Sequence, residues 1–123
     1  MTRVLLADDN YMFLEGFGIW LEREFGYAVT AVASLGEAIA EARSTPFDYL
    51  ITDKNIGGHR GIVPLLDVMQ QERPHVPVIL CSAEDGEQAV KELYCHEFVR
   101  KGPARQMEGH FRETFRKYAE NPI

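Results

Sequence analysis

Asp8, Asp9, Asp53, Ser82 and Lys101 are polar side chains placed where they could act together. The acid pair follows a strand candidate at residues 3–7, Asp53 follows one at 47–52, Ser82 one at 77–81 and Lys101 one at 96–100. If these runs are parallel strands, their carboxyl ends share one rim, which is where open α/β sheets bind ligands. Three carboxylates gathered there repel one another, and without compensation at least one would keep its proton. A divalent cation removes that conflict, and oxygen donors with room for water suit Mg2+. Lys101 adds a second positive charge. Such a site wants a dianionic, oxygen-rich group, and a phosphoryl group fits best.

The rest of the chain supplies the elements needed to hold that rim. Residues 3–7 are a continuous apolar strand candidate, and residues 11–25 read as a helix with Phe13, Phe17, Trp20 and Leu21 on one stripe. Gly26 is its stop. A second strand spans residues 27–32, and Ser34-Leu35-Gly36-Glu37 has the pattern of a capping box opening a helix through about Arg43. After the third strand comes a Gly-rich loop over residues 55–61. The helix beyond it carries Ile62, Leu65, Leu66 and Met69 inward, with Pro64 near its start, where proline is tolerated. A short helix at about 85–94 separates the fourth and fifth strands. Pro103 opens a last helix with Met107, Phe111, Phe115 and Tyr118 on its inner face. Five strands alternating with five helices predict one doubly wound α/β domain over residues 1–123, a five-stranded parallel sheet with helices on both faces.

Composition mainly excludes. The 123 residues carry 13 Lys and Arg against 19 Asp and Glu, a net charge of −6, so the surface as a whole is unsuited to nucleic acid. The imbalance is local: residues 1–99 hold 16 acids and 7 bases, residues 100–123 hold 3 acids and 6 bases. Cys81 and Cys95 make no CxxC or Cys/His ligand spacing and read as reduced thiols of a cytoplasmic protein. His59, His75, His96 and His110 form no ligand spacing either, and read as surface or loop residues. No apolar run is long enough to span a bilayer, the first residues lack a signal-peptide core, and neither GxxxxGK[ST] nor GxGxxG occurs.

The segments Val4-Leu5-Leu6-Ala7-Asp8-Asp9-Asn10, Asp48-Tyr49-Leu50-Ile51-Thr52-Asp53, Val78-Ile79-Leu80-Cys81-Ser82-Ala83-Glu84 and Phe98-Val99-Arg100-Lys101 together resemble the receiver domain of bacterial two-component response regulators. The likeness covers essentially the whole chain. It implies a flavodoxin-like fold and a switch that catalyses only its own phosphorylation and dephosphorylation. Asp53 would accept a phosphoryl group from the phosphohistidine of a sensor kinase or phosphotransfer protein. Mg2+ would be bound by the side chains of Asp9 and Asp53, by the Asn55 carbonyl, and by Asp8 through water. Ser82 would hydrogen-bond a phosphoryl oxygen after transfer. Phe98 would be the switch aromatic, remodelling the face of the fourth helix, fifth strand and fifth helix, where a homodimer partner or effector domain would bind. Asn55 and Glu84, two positions after Asp53 and Ser82, make a polar pair like that of fast-cycling chemotaxis receivers and imply quick self-dephosphorylation.

Simpler readings stand beside these. Asp8, Asp9 or Asn10 could cap the first helix, Asp53 could be a turn residue, and Lys101 could be solvated. Ser82 could form a capping box with Asp85, and Phe98 could be a plain core aromatic. Three departures from the family pattern are also visible. Gly57 replaces the usual proline four residues after the phosphoacceptor and is followed by Gly58. Lys101-Gly102-Pro103 interrupts the usual Lys-Pro step, so a cis bond directly after Lys101 is disfavoured. The stretch from Ser82 to Lys101 is about one helical turn short, which predicts a short or frayed fourth helix. Arg105, Arg112, Arg116 and Lys117 read as a solvated basic face or a docking surface for an acidic partner, and no further helical motif follows for DNA binding. A degenerate receiver acting as an interaction module is the main alternative. A Mg2+-dependent phosphatase is the enzymatic one, disfavoured because Asn55 stands where such enzymes want an acid.

Overall fold

Strands and helices alternate along the computed structural model, which describes residues 1–56, 61–84 and 86–123. The elements are β1 (Arg3–Ala7), α1 (Tyr11–Phe25), β2 (Ala28–Val32), α2 (Leu35–Ser44), β3 (Tyr49–Thr52), α3 (Val63–Glu72), β4 (Val78–Ser82), α4 (Glu87–Glu92), β5 (Glu97–Arg100) and α5 (Ala104–Glu120). The strands pair in parallel in the order β2-β1-β3-β4-β5. The order reverses between β1 and β3, so the carboxyl ends of those two strands flank the crevice of a doubly wound sheet.

Alternation along each central strand divides the core into two layers. Val4 and Leu6 of β1, Tyr49 and Ile51 of β3, and Ile79 and Cys81 of β4 face α1 and α5. Leu5 and Ala7, Leu50, and Val78 and Leu80 face α2, α3 and α4. Burial on both sides is why these strands read as unbroken apolar runs. The layer under α1 and α5 is aromatic, with Phe17 against Phe111 at 4.8 Å and Phe115 edge-on to Phe25 and Tyr49 at 5.1 and 5.0 Å. The opposite layer is almost wholly aliphatic among its buried members.

Local chemistry sets the boundaries. Asn10 Oδ1 accepts the Phe13 N–H at 3.1 Å and starts α1, and Gly26 ends it at φ 71°, the left-handed conformation glycine adopts freely. Ser34 Oγ accepts the Glu37 N–H at 3.2 Å and caps α2 as expected, while the Glu37 carboxylate accepts the Ser34 hydroxyl at 3.0 Å in place of the backbone N–H of a full capping box. β3 starts at Tyr49, and just before it Asp48 exchanges two hydrogen bonds with Arg3, its carboxylate accepting the Arg3 N–H and its own N–H donating to Arg3 O, both at 2.8 Å. β4 runs one residue further than its apolar stretch and includes Ser82, paired in register with Arg100. α4 has six residues, in keeping with the shortened interval between Ser82 and Lys101, and no side-chain cap among the described residues. The Gly57-Gly58 pair and His59 lie outside the described residues, as does Asp85, the partner in the alternative Ser82 cap.

His96 lies in the loop before β5, as expected, but it is half-buried. Its Nδ1 accepts the Val78 N–H at 2.9 Å, completing the backbone hydrogen bonding at the start of β4 with a ring nitrogen. Burial lowers its pKa below the ordinary 6.5, which keeps the imidazole neutral and able to accept. His75 is exposed, and His110 Nε2 lies 3.5 Å from Glu97 Oε1.

Candidate functional site

Backbone pairing brings the rim together. Asp53 N–H donates to Ala7 O at 3.0 Å and Lys101 N–H to Ser82 O at 3.0 Å, so each polar residue is an extension of a paired strand. The Lys101 ammonium then lies between two carboxylates, 2.6 Å from Asp8 Oδ2 and 2.7 Å from Asp53 Oδ2. Asp8 is 1% exposed, the Asp53 side chain 13% and the Lys101 side chain 17%. Two carboxylates can share this space because one cation sits against both. Burial opposes the charge on Lys101, but hydrogen bonds and attraction from Asp53 and Asp8 outweigh it and hold its pKa above the ordinary 10.5. Lys101 is therefore a permanently charged donor at neutral pH.

The other oxygen of each carboxylate is fixed by backbone. Asp8 Oδ1 accepts the Asn10 N–H at 2.9 Å and Asp53 Oδ1 accepts the Asn55 N–H at 2.9 Å. Both acids thus close a turn and face Lys101 at once, so the turn reading and the site reading of Asp53 hold together. Asp8 Oδ2 is buried, and the Lys101 ammonium is the one group against it among the described residues. A buried carboxylate oxygen facing a cation in this way is an available donor for a hard metal or its water.

Asp9 stands at the same rim, exposed to solvent. Among the described residues, no three carboxylate, imidazole or thiol side chains close on one point. Asp8, Asp53 and Lys101 are joined directly, whereas Asp9 is placed beside them and does not touch them through any ion pair or side-chain hydrogen bond among the described residues. Ser82 is 2% exposed, and its Oγ accepts the Glu84 N–H at a long 3.4 Å. Its neighbour Cys81 is chemically quiet, its thiol pushed up to about 12 by burial.

Two contacts at this rim depend on tertiary packing. Glu84 bridges the loops after β3 and β4, accepting from Lys54 Nζ at 2.8 Å and from Asn55 Nδ2 at 3.1 Å. The Lys54 bond and charge hold the Glu84 carboxyl below its usual range. The Phe98 ring is half-buried against the aliphatic layer and lies directly over Gly86: a Cβ there would fall 2.1 Å from the ring. Gly102 has φ 63°, and the Gly102–Pro103 bond that follows is cis, one bond beyond Lys101-Gly102.

The basic face of α5 is partly internal. Arg112 pairs with Glu24 at 3.1 Å and lies over Trp20, and Lys117 pairs with Glu97 at 3.1 Å. Arg105 and Arg116 are exposed.

A model of the response regulator receiver domain matches residues 4–102. The chain belongs to that family. It is 28% identical over 113 residues to a glycerol metabolism activator of Pseudomonas putida, covering 87% of this chain and 51% of the relative, so the chain spans about half that protein's length. It is 36% identical over 84 residues to the chemotaxis protein CheY of Pseudomonas aeruginosa, covering 67% of each. Among solved structures, the response regulator TrrA of Thermotoga maritima, in complex with Mg2+ and BeF, superposes with a TM-score of 0.81 at 21% identity, covering 95% of this chain and 98% of that one. A CheY-like receiver domain of Methanospirillum hungatei does so at 0.82 and 21%, covering 98% of both. The fold and two-component receiver membership are thereby settled.

Proposed function

We propose that this receiver is a phosphoryl-accepting switch, with Asp53 as the acceptor. The observation that carries the reading is the Lys101 ammonium held between Asp8 and Asp53 at the crevice of the sheet. In the transfer, an Asp53 carboxylate oxygen forms a bond to phosphorus as the bond from phosphorus to a kinase or phosphotransfer histidine nitrogen breaks. Lys101 then has a phosphoryl oxygen within its reach and offsets the added charge.

The donor set fits Mg2+, since every candidate atom is a hard oxygen and Asp8 Oδ2 is a buried carboxylate oxygen with only the Lys101 ammonium against it among the described residues. Asp9, Asp53 and the Asn55 carbonyl would hold the ion, with Asp8 acting through water. Bound there, it would neutralise phosphoryl charge. Ser82 would donate its hydroxyl to a phosphoryl oxygen after transfer, and Phe98 is the aromatic that would follow it. The output surface is the α4–β5–α5 face, offered to an effector domain or a second copy. The domain acts in the cytoplasm, spans residues 1–123 and turns over no exogenous substrate. No described helix is long and apolar enough to cross a membrane.

Incubation with Mg2+ and a small acyl-phosphate donor should add one phosphoryl group by intact mass, and Asp53→Asn should abolish it. The Asn55 and Glu84 pair supports quick loss of that group, so a phosphorylated half-life of many hours in Mg2+ alone contradicts this part of the reading. No adduct at all favours a receiver that has become a phosphorylation-independent interaction module.

A further inference from the structure

We infer that Phe13 is a positioning residue for Lys101: its ring forms the third side of a cradle that aims the ammonium at Asp53. The inference deepens the phosphoacceptor reading and rests on it. Lys101 Nζ lies 4.4 Å from the Phe13 ring centroid while standing 2.6 and 2.7 Å from the two carboxylates. An ammonium with two acids on one side and an aromatic face on another has few other places to go. The Lys101 side chain is only 17% exposed, so the attraction of the ring is little diluted by water.

The ring is itself held. Phe13 stacks on Phe17 with centroids 5.2 Å apart and planes 15° from parallel, and Phe17 stacks on Trp20 at 5.6 Å and 20°. Phe17 also leans on the fully buried Phe111 of α5. At the backbone, the Phe13 N–H is fixed by Asn10, whose own N–H is fixed by Asp8. One turn of chain therefore sets both an acid and the ring that flank Lys101. The ring has no hydrogen-bond acceptor to compete with phosphoryl oxygens for the ammonium protons. It restrains Lys101 while leaving its donors free, and it would go on doing so once Asp53 carries a phosphoryl group.

Phe13→Leu keeps most of the volume and removes the aromatic face. In the wild-type protein the Lys101 ε-methylene protons should show an upfield ring-current shift that Phe13→Leu abolishes and Phe13→Trp keeps. Affinity for beryllofluoride in saturating Mg2+ should fall about 2- to 30-fold in Phe13→Leu, the range expected for such a contact, and recover in Phe13→Trp. In a Lys101→Met background, Phe13→Leu should change that affinity no further. Thermal unfolding of each variant confirms that the fold persists. Absence of the ring-current shift, wild-type affinity in Phe13→Leu, or an equal loss in the Lys101→Met background would overturn the inference. A wild-type chain that shows the shift but binds no beryllofluoride would instead bring down the phosphoacceptor reading, and the aiming role with it.

Discussion

The two layers on either side of the sheet are built to different standards. Under α1 and α5, helices of 15 and 17 residues clamp a stack of aromatics, and Phe111 is fully buried. At the opposite corner, α4 has six residues and no side-chain cap among the described residues, and of β5 only Val99 is buried. Helices this short owe their stability to packing rather than to their own hydrogen bonds. The difference teaches where each half of a switch belongs: Asp8, Asp53 and Lys101 are braced from the aromatic side, while Phe98 rests on the thin one. A site that must hold charges in register needs the first, and a surface that must change shape needs the second.

Substitution at the centre of the aromatic layer should have the largest effect. Phe111→Ala should cost about 3–5 kcal/mol by urea unfolding, because the cavity opens beneath Phe17 and Phe115 where neither helix can close in. Val90→Ala on α4, where the residue is 44% exposed, should change stability by less than about 0.5 kcal/mol. Comparable losses at the two sites would erase the contrast.

Gly86→Ala should act next most strongly and on the thin side alone. A methyl group cannot coexist with the Phe98 ring in its present place, so the ring must leave or the structure must absorb about 1–3 kcal/mol of overpacking. Aromatic NMR signals of Phe98 should move while those of Phe17 and Phe115 stay put. An unchanged Phe98 environment would show that the ring does not rest on Gly86.

The smallest effect is a pH dependence at His96. Its folded pKa lies below its unfolded value, so the unfolded chain takes up the proton first. Stability contributed by the neutral imidazole is complete above about pH 6.5 and is lost as pH falls towards the folded pKa. Urea midpoints of wild type against His96→Gln across pH 5 to 8 should converge in shape above that value and part below it. Parallel curves throughout would mean that His96 is not the group responsible.

Much of this was legible in the residues themselves. Strand ends could be placed because the apolar runs stop at the charged side chains of Asp8 and Asp53, and parallel order puts all such ends on one rim. The α2 cap was visible because Ser34 and Glu37 act within one turn. His96 was not, since its acceptor role exists only once β4 lies alongside. Phe13 read as a core stripe member for the same reason: nothing in its spacing announces a lysine 88 residues later in sequence. The joining of Asp8 to Asp53 through Lys101, with Asp9 left facing solvent, likewise depends on side-chain reach rather than on order along the chain.

Hydrogen exchange of the wild-type protein, with and without beryllofluoride in Mg2+, tests the central claim that the aromatic side holds while the thin side responds. Amides of α1 and α5 should keep their protection in both states, and those of residues 86–100 should exchange readily in the free protein and slow on binding. Strong protection across residues 86–95 before binding, or a change spread evenly over both layers, would contradict it.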